Sequence, residues 1–223
     1  MSDNFKALIL NQEGENFTRE VKSIEKSFLK HGDVTVKVDY SDLNYKDALI
    51  LNNGSKLVKE FPHIPLSIDT FNSQVAKAHL NQGVAIVNDI SAGELDPNMF
   101  KLIQEFNPIY IMMHMRGTPQ TMAQLCDYDN LIEEIIAYFQ AKIKAIDHTN
   151  IIIDPGFGFA KTSSQNFELL HHLQKLKALQ QPILVGISRK SMIYKLLETT
   201  PNEALNGTSV LNTIALQKGA QIL

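Results

Sequence analysis

The chain is poor in the residues that build covalent or metal-borne frameworks. It has one cysteine, Cys126, so no intrachain disulfide can form. No paired cysteines, H-E-x-x-H run or acidic loop pattern is present, and no metal site built by protein alone is expected. Charge of one sign is also missing: 21 Lys and Arg stand against 24 Asp and Glu, with a net charge of −3 and no long basic run. That balance argues against a nucleic-acid partner or an anionic membrane surface, and any anionic ligand would need locally placed cations. No apolar run nears the roughly 20 residues that span a bilayer. The opening MSDNFKALIL lacks the basic-then-apolar pattern of a secretory signal. A reducing, cytoplasmic location is therefore expected.

What is present is ample apolar material, 44% of 223 residues, enough for one sizeable core in one or two domains. The texture changes near Pro65. Before it, Phe5–Leu10 and Phe17–Ile24 read as strands, and GDVTVKVDY alternates apolar and polar residues as a half-exposed strand does. SDLNYKDALI could start a short helix, and NNGSKL reads as a turn. Residues 1–65 are thus expected to form a small antiparallel β-rich segment.

Residues 66–223 alternate strand and helix. Strands are expected at Leu66–Asp69, Ala85–Ile90, Ile109–Met113, Ile151–Asp154, Ile183–Ile187 and Ala220–Leu223. Helical spacings fill Gln74–Asn81, Pro97–Phe106, Tyr128–Ile146, Phe167–Leu179, Met192–Leu197 and Glu203–Gln217. Strand, crossover and parallel strand is the implied unit, and eight such units close a (β/α)8 barrel. Six are countable here, so the fold class is α/β, an incomplete TIM-type barrel with two open edges. Open edges favour a homodimer over a monomer. Several strands end in polar residues: Asp69, then Asn88 and Asp89, then Asp154, then Ser188, Arg189 and Lys190. The C-terminal ends of parallel strands are where such folds bind ligands.

Two resemblances follow from the motifs. GDVTVKVDYSDLNYKDALILNNG followed by FPHIP resembles the N-terminal part of zinc-independent quinone and acrylyl-CoA reductases. In that family Asn44, Tyr45 and Lys46 would lie near a nicotinamide nucleotide. No G-x-G-x-x-G stands anywhere in the chain, so NADPH binding is not expected. LSIDTF, AIVNDISAG, MMHMRGTPQTM, IIIDPGFGFAKT and LVGISRKS, in that order, resemble dihydropteroate synthase over about residues 66–223. That resemblance implies a barrel that joins 6-hydroxymethyl-7,8-dihydropterin pyrophosphate to p-aminobenzoate with help from Mg2+.

By the same resemblance, Asp154 would take the amino and ring N–H edge of a pterin, as a carboxylate can in a charge-assisted pair. Asn88 would meet the adjacent ring nitrogen and amino group, Asp69 the far ring, and Lys190, the candidate catalytic residue, the carbonyl oxygen and a ring nitrogen. Met112, Phe159 and Gly186 would line the flat faces, and Ser188 the p-aminobenzoate carboxylate. Plainer roles stand beside these. Asp154 could cap the turn before Pro155, Lys190 could be a solvated lysine at a helix start, and Ser188 could cap that helix. His114 is expected to be packed and hydrogen-bonded, and Arg189 to be a surface salt-bridge partner. His171 and His172 face different directions on their helix. Met112, Met113 and Met115 are expected as core filler.

The chain holds no segment like NVTPDSF, no Thr-Arg loop after a second strand and no terminal Arg-x-His pair. In the family the first carries an asparagine associated with magnesium and pyrophosphate, the second closes over substrate and the third grips pyrophosphate. Pterin binding without turnover is therefore an alternative, and a reductase fragment a further one.

Overall fold

The computed structural model describes residues 4–13, 16–25 and 63–223. Backbone packing divides the chain into two compact units, Met1–Asp39 and Tyr40–Leu223. In the first, β1 (Asn4–Glu13) and β2 (Asn16–Glu25) pair antiparallel, with Asn4 opposite Glu25 and Glu13 opposite Asn16. These are two of the expected strands. The strand around Val34–Tyr40, the helix from Ser41, the turn at 52–57 and the Asn44-Tyr45-Lys46 motif lie outside the described residues.

In the second unit, β3 (Ser67–Asp69), β4 (Ile86–Asp89), β5 (Ile109–Met113) and β6 (Ile151–Asp154) form a parallel sheet in chain order. Bridges from Ile153 to Ile183 and from Leu184 to Ile222 extend that order across two further positions. All six expected strand positions are present, the last two shortened to bridges. One reason lies in the ladder: the Ile183 N–H donates to the Gln221 side chain at 2.8 Å. Gly186 also weakens a strand, having no side chain to pack.

The helices between the strands are α1 (Ser73–Leu80), α2 (Met99–Phe106), α3 (Leu131–Ile146), α4 (Ser163–His171), α5 (Ser191–Tyr194) and α6 (Leu205–Gln217). Their starts are set by side chains. Asn72 accepts the N–H groups of Gln74 and Val75 at 2.9 and 3.1 Å. Asn130 accepts from Glu133, whose neighbour Glu134 accepts the Asn130 N–H at 2.9 Å. Thr162 and Gln165 form a reciprocal capping box. Each such cap stabilises by about 1 kcal/mol and fixes where the preceding loop must end.

Leu131, Ile132, Ile135, Phe139 and Ile146 of α3 are buried at helical spacings and share one core with Val87, Tyr110, Met112 and Ile153 of the sheet. Full burial of such a side chain contributes about 1.5–3 kcal/mol. The run Phe167–Leu179, expected as one helix, is divided: α4 ends at His171, and Leu173–Leu179 winds as a 3-10 helix. Leu173, Leu176 and Leu179 are buried three apart, which is the repeat of that tighter helix.

Burial alternates along the strands. Val87 and Asp89 are buried while Ile86 and Asn88 are half-buried, and Ile151 and Ile153 are buried while Ile152 and Asp154 are half-buried. One sheet face packs on helices, and the other is more open.

Candidate active site

Ladder partners in a parallel sheet share a face, so the register sorts the candidate residues. Asp69 stands opposite Asn88, and Asn88 opposite Ile111. Two residues beyond Ile111, Met113 stands opposite Asp154. Ile183 bridges Ile153, so Gly186, three residues on, falls by alternation on the Asp154 face. Asp69, Asn88, Met113, Asp154 and Gly186 therefore share the more open face at the C-terminal ends of the strands.

Met112 does not join them. It stands opposite Asp89 and Ile153, is fully buried and belongs to the helix-side core. The methionine on the Asp154 face is therefore Met113 and not, as expected, Met112. Among these unbroken apolar residues no alternation sets the phase, and only the pairing with Asp154 does.

Asn88 is steadied by its neighbour. The buried Asp89 carboxylate accepts the N–H and hydroxyl of Ser91 at 2.8 and 2.7 Å, the Gly93 N–H at 2.8 Å and the Tyr110 hydroxyl at 2.8 Å. Burial first, then the Asp89 charge, holds the Tyr110 hydroxyl well above its usual range. Asn88 also accepts the Thr70 N–H on its carbonyl at 2.9 Å, which ties the ends of β3 and β4.

Asp154 opens a tight loop. Its Oδ1 accepts the Gly156 N–H at 2.8 Å, the expected turn-capping role, and among the described residues no other hydrogen bond is made to the carboxylate. Burial raises the carboxyl above its usual range, opposed by that N–H and by the charges of Lys190 and Lys161. Gly156 adopts φ +72°, and a Cβ there would overlap the His114 carbonyl oxygen, so glycine is required. Gly158 donates its N–H to the buried Asn166 side chain at 2.7 Å.

Lys190 is not a solvated lysine. Its ammonium donates to the Phe157 carbonyl and stands 4.9 Å from the centroid of the half-buried Phe159 ring. Burial lowers its pKa, and the Asp154 charge resists that shift. The structure thus brings Asp154, Phe159 and Lys190 together on one loop and its neighbour. A Cβ at Gly186 would meet nothing within 4 Å, so there is open space beside its backbone.

Ser188 is exposed and does not cap the following helix. The Lys190 N–H donates to Ile187 at 3.1 Å and Arg189 turns left-handed at φ 50°, so α5 begins only after Lys190. Arg189 is exposed as expected, but among the described residues it forms no salt bridge, and its N–H donates to Thr208 at 2.9 Å.

His114 is buried at 2% exposure and packs edge-on to Tyr138, their centroids 4.8 Å apart. It is packed and hydrogen-bonded, as expected. Its partner was not foreseen: the Lys161 ammonium lies 2.9 Å from His114 Nδ1. Two residues on, Arg116 stacks on the Tyr128 ring, 3.7 Å from its centroid, and pairs with Glu134. No group of three or more His, Cys, Asp or Glu side chains converges among the described residues. The Asp154 carboxylate has lysines for neighbours, an arrangement that does not fit a divalent cation.

Comparison with known proteins converges on one family. A family profile described as "pterin binding enzyme" matches residues 48–223. The dihydropteroate synthase of Synechocystis sp. is 43% identical over 166 residues, covering 72% of this chain and 57% of that protein. A solved Yersinia pestis dihydropteroate synthase with a sulfonamide drug superposes with a TM-score of 0.72 at 33% identity, covering 76% of this chain and 63% of that one. The Xanthomonas albilineans enzyme in complex with 7,8-dihydropteroate gives 0.68 at 31% identity, covering 76% and 63%. The chain therefore spans less than two thirds of the length of these relatives, and among the described residues its parallel sheet does not close.

Proposed function

The chain belongs to the pterin binding enzyme family, and on that premise we propose that it acts as a dihydropteroate synthase, a transferase of folate biosynthesis. The observation that carries the reading is the convergence of Asp69, Asn88, Met113, Asp154 and Gly186 on one sheet face, with Lys190 and Phe159 beside them. A pterin is flat, with an amino group beside a ring N–H on one edge. The Asp154 carboxylate, which uses one oxygen on Gly156, can accept both, and Asn88 can complement the adjacent edge. Met113, Phe159 and the bare backbone of Gly186 would sandwich the ring. Lys190 would donate to the pterin carbonyl and ring nitrogen, and Ser188, exposed before α5, would meet the p-aminobenzoate carboxylate.

In the reaction, the bond between the pterin methylene carbon and the pyrophosphate oxygen breaks, and pyrophosphate departs. The aniline nitrogen of p-aminobenzoate forms the new bond and loses a proton. Positive charge develops on the pterin as the leaving group goes, and a neighbouring carboxylate stabilises it. Asp154 supplies that carboxylate, with Lys190 orienting the far side of the ring. Magnesium, which the family uses in general, would assist the leaving pyrophosphate, and the pterin contacts proposed here do not depend on it.

A second reading, pterin binding without turnover, is favoured by one feature. The Arg116 guanidinium, two residues past His114, is committed to Glu134 and the Tyr128 ring, whereas leaving pyrophosphate needs free cations. A reductase reading would rest on Asn44, Tyr45 and Lys46, outside the described residues. No helix among the described residues is long and apolar enough to cross a membrane, and we expect a cytoplasmic chain with no nucleic-acid partner. A homodimer is also expected, supported by the exposed Leu196, Leu197 and Val210 beside Phe167 and Ile193.

The deciding experiment is titration of 6-hydroxymethylpterin into the full chain by calorimetry, followed by a product assay with the pterin pyrophosphate, p-aminobenzoate and magnesium. Micromolar binding with product supports the synthase. Binding without product selects the second reading, and no binding by a folded chain overturns both.

A further inference from the structure

Lys161 is the buried cation that the pterin contacts leave unused. It is 7% exposed, and its ammonium lies 2.9 Å from His114 Nδ1, 3.1 Å from the Gly156 carbonyl and 3.0 Å from the Phe159 carbonyl. An ammonium has three donors and no acceptor, so these three acceptors satisfy it completely. Nδ1 of His114 must then present its lone pair, which places the imidazole proton on Nε2.

The segment it holds has one backbone hydrogen bond of its own, from the Phe159 N–H to the Gly156 carbonyl at 3.1 Å. Gly156, Gly158 and Ala160 all have positive φ, at 72°, 79° and 48°. Left-handed residues at every second position preclude helix or strand, so the other loop carbonyls need partners from outside. The Tyr128 hydroxyl takes the Ala160 carbonyl at 2.9 Å, Lys190 takes that of Phe157, and Lys161 takes those of Gly156 and Phe159. Lys161 thereby ties both ends of the Gly156–Phe159 loop to the end of β5.

We infer that Lys161 is a positioning residue whose three hydrogen bonds hold the Gly156–Phe159 loop where the Phe159 ring can cover a flat heterocycle bound at Asp154. The inference rests on the pterin reading for the identity of that heterocycle, while the clamp itself stands on the ligand-free geometry. The charged or titratable groups facing Lys161 are Asp154, Lys190, Arg116, Cys126 and His114. Burial pulls its pKa down to about 7, with Asp154 opposing and Lys190 and Arg116 adding to the fall. Because that value is depressed in the clamped loop, the proton is lost more easily there than from an opened loop, and the clamped form gains over the open one as pH rises through about 7.

The test compares the full wild-type chain with Lys161→Met, which keeps a stem of similar length and removes the donors. Amide exchange is followed by mass spectrometry without ligand at pH 6 and pH 8.5, corrected for intrinsic rates, and 6-hydroxymethylpterin is titrated by calorimetry at both. In the variant, peptides over residues 155–162 should exchange at least tenfold faster while those of α3 are unchanged. Wild-type pterin affinity should exceed the variant's about tenfold at pH 6, and the gap should not narrow at pH 8.5. Unchanged loop exchange, or loosening spread equally over α3, overturns the inference. Should the variant not fold, the wild type alone decides: protection of 155–162 that rises from pH 6 to pH 8.5 supports the clamp, and constant or falling protection overturns it. A wild-type chain that binds no pterin yet shows the loop effect removes the pterin reading and leaves the clamp standing.

Discussion

Met113 stands opposite Asp154 in the ladder between β5 and β6, while Met112, one residue earlier, stands opposite Ile153. The two side chains therefore serve opposite sides of the sheet, and substitutions at them should separate. Met112→Ala empties a fully buried place in the core and is expected to cost about 2–5 kcal/mol of stability. Pterin affinity in the fraction that stays folded should change little. Met113→Ala, on the ligand face, should weaken pterin binding by about tenfold, the effect of losing roughly 1.4 kcal/mol of packing. Urea unfolding and calorimetry on both variants provide the comparison, and equal losses of affinity would contradict the assigned register.

Asp154→Asn should leave the fold intact and remove pterin recognition. The side chain keeps an oxygen to accept the Gly156 N–H, so the loop turn survives. What is lost is the negative charge that accepts two donors at once, and hydrogen bonds to charged groups contribute about 1.5–3 kcal/mol each. The expected fall in affinity is on the order of 10- to 100-fold. A melting temperature no lower than wild type is expected as well, because the carboxylate is held against the cost of burial. Undiminished affinity would remove Asp154 from the site.

Much of this architecture is legible in the sequence because the physics is local. Apolar runs that end in Asp69, Asn88 and Asp154 announce buried strands with functional ends, and the register then brings those ends to one face. Three features resist such reading because they depend on neighbours far along the chain. IYIMMHM has no polar alternation, so nothing local says whether Met112 or Met113 shares the Asp154 face. Ser188 looks like a helix cap until the left-handed Arg189 delays the helix by two residues. Lys161 reads as an ordinary surface lysine before an N-cap threonine. Its burial becomes visible only once His114, 47 residues earlier, is placed against it.

Gly156→Ala should be among the most damaging small substitutions in the chain. The left-handed φ of +72° costs a non-glycine residue about 1–2 kcal/mol, before the Cβ meets the His114 carbonyl oxygen. Relief would require the loop to leave the end of β5, taking Phe159 with it. A fall in melting temperature together with loss of pterin binding is the expected pair of results. Gly186→Ala makes the contrast: its Cβ enters open space, so stability should be unchanged while affinity falls if a ring lies against that backbone. Thermal scans and titrations of the two variants would show whether these effects part as expected.

His114 should make the fold sensitive to mild acid. Burial, then the charges of Lys161 and Arg116, pushes its pKa from 6.5 down to about 2. Between those values the unfolded chain binds a proton that the folded chain refuses. Stability is thus fully present above pH 6.5 and is lost as pH falls, by up to about 1.4 kcal/mol per unit. Lys161 acts in a separate window. Its folded value near 7 lies below its ordinary 10.5, so its contribution raises stability as pH climbs between those two values. The windows barely overlap, and one variant can tell them apart. His114→Gln still offers an oxygen to Lys161 but does not titrate. Urea unfolding from pH 4.5 to pH 9 should show a shallower acid-side slope for the variant and parallel curves above pH 7. Parallel curves throughout would mean that the folded protein lets His114 take up its proton, and the neutral acceptor required by Lys161 would be gone.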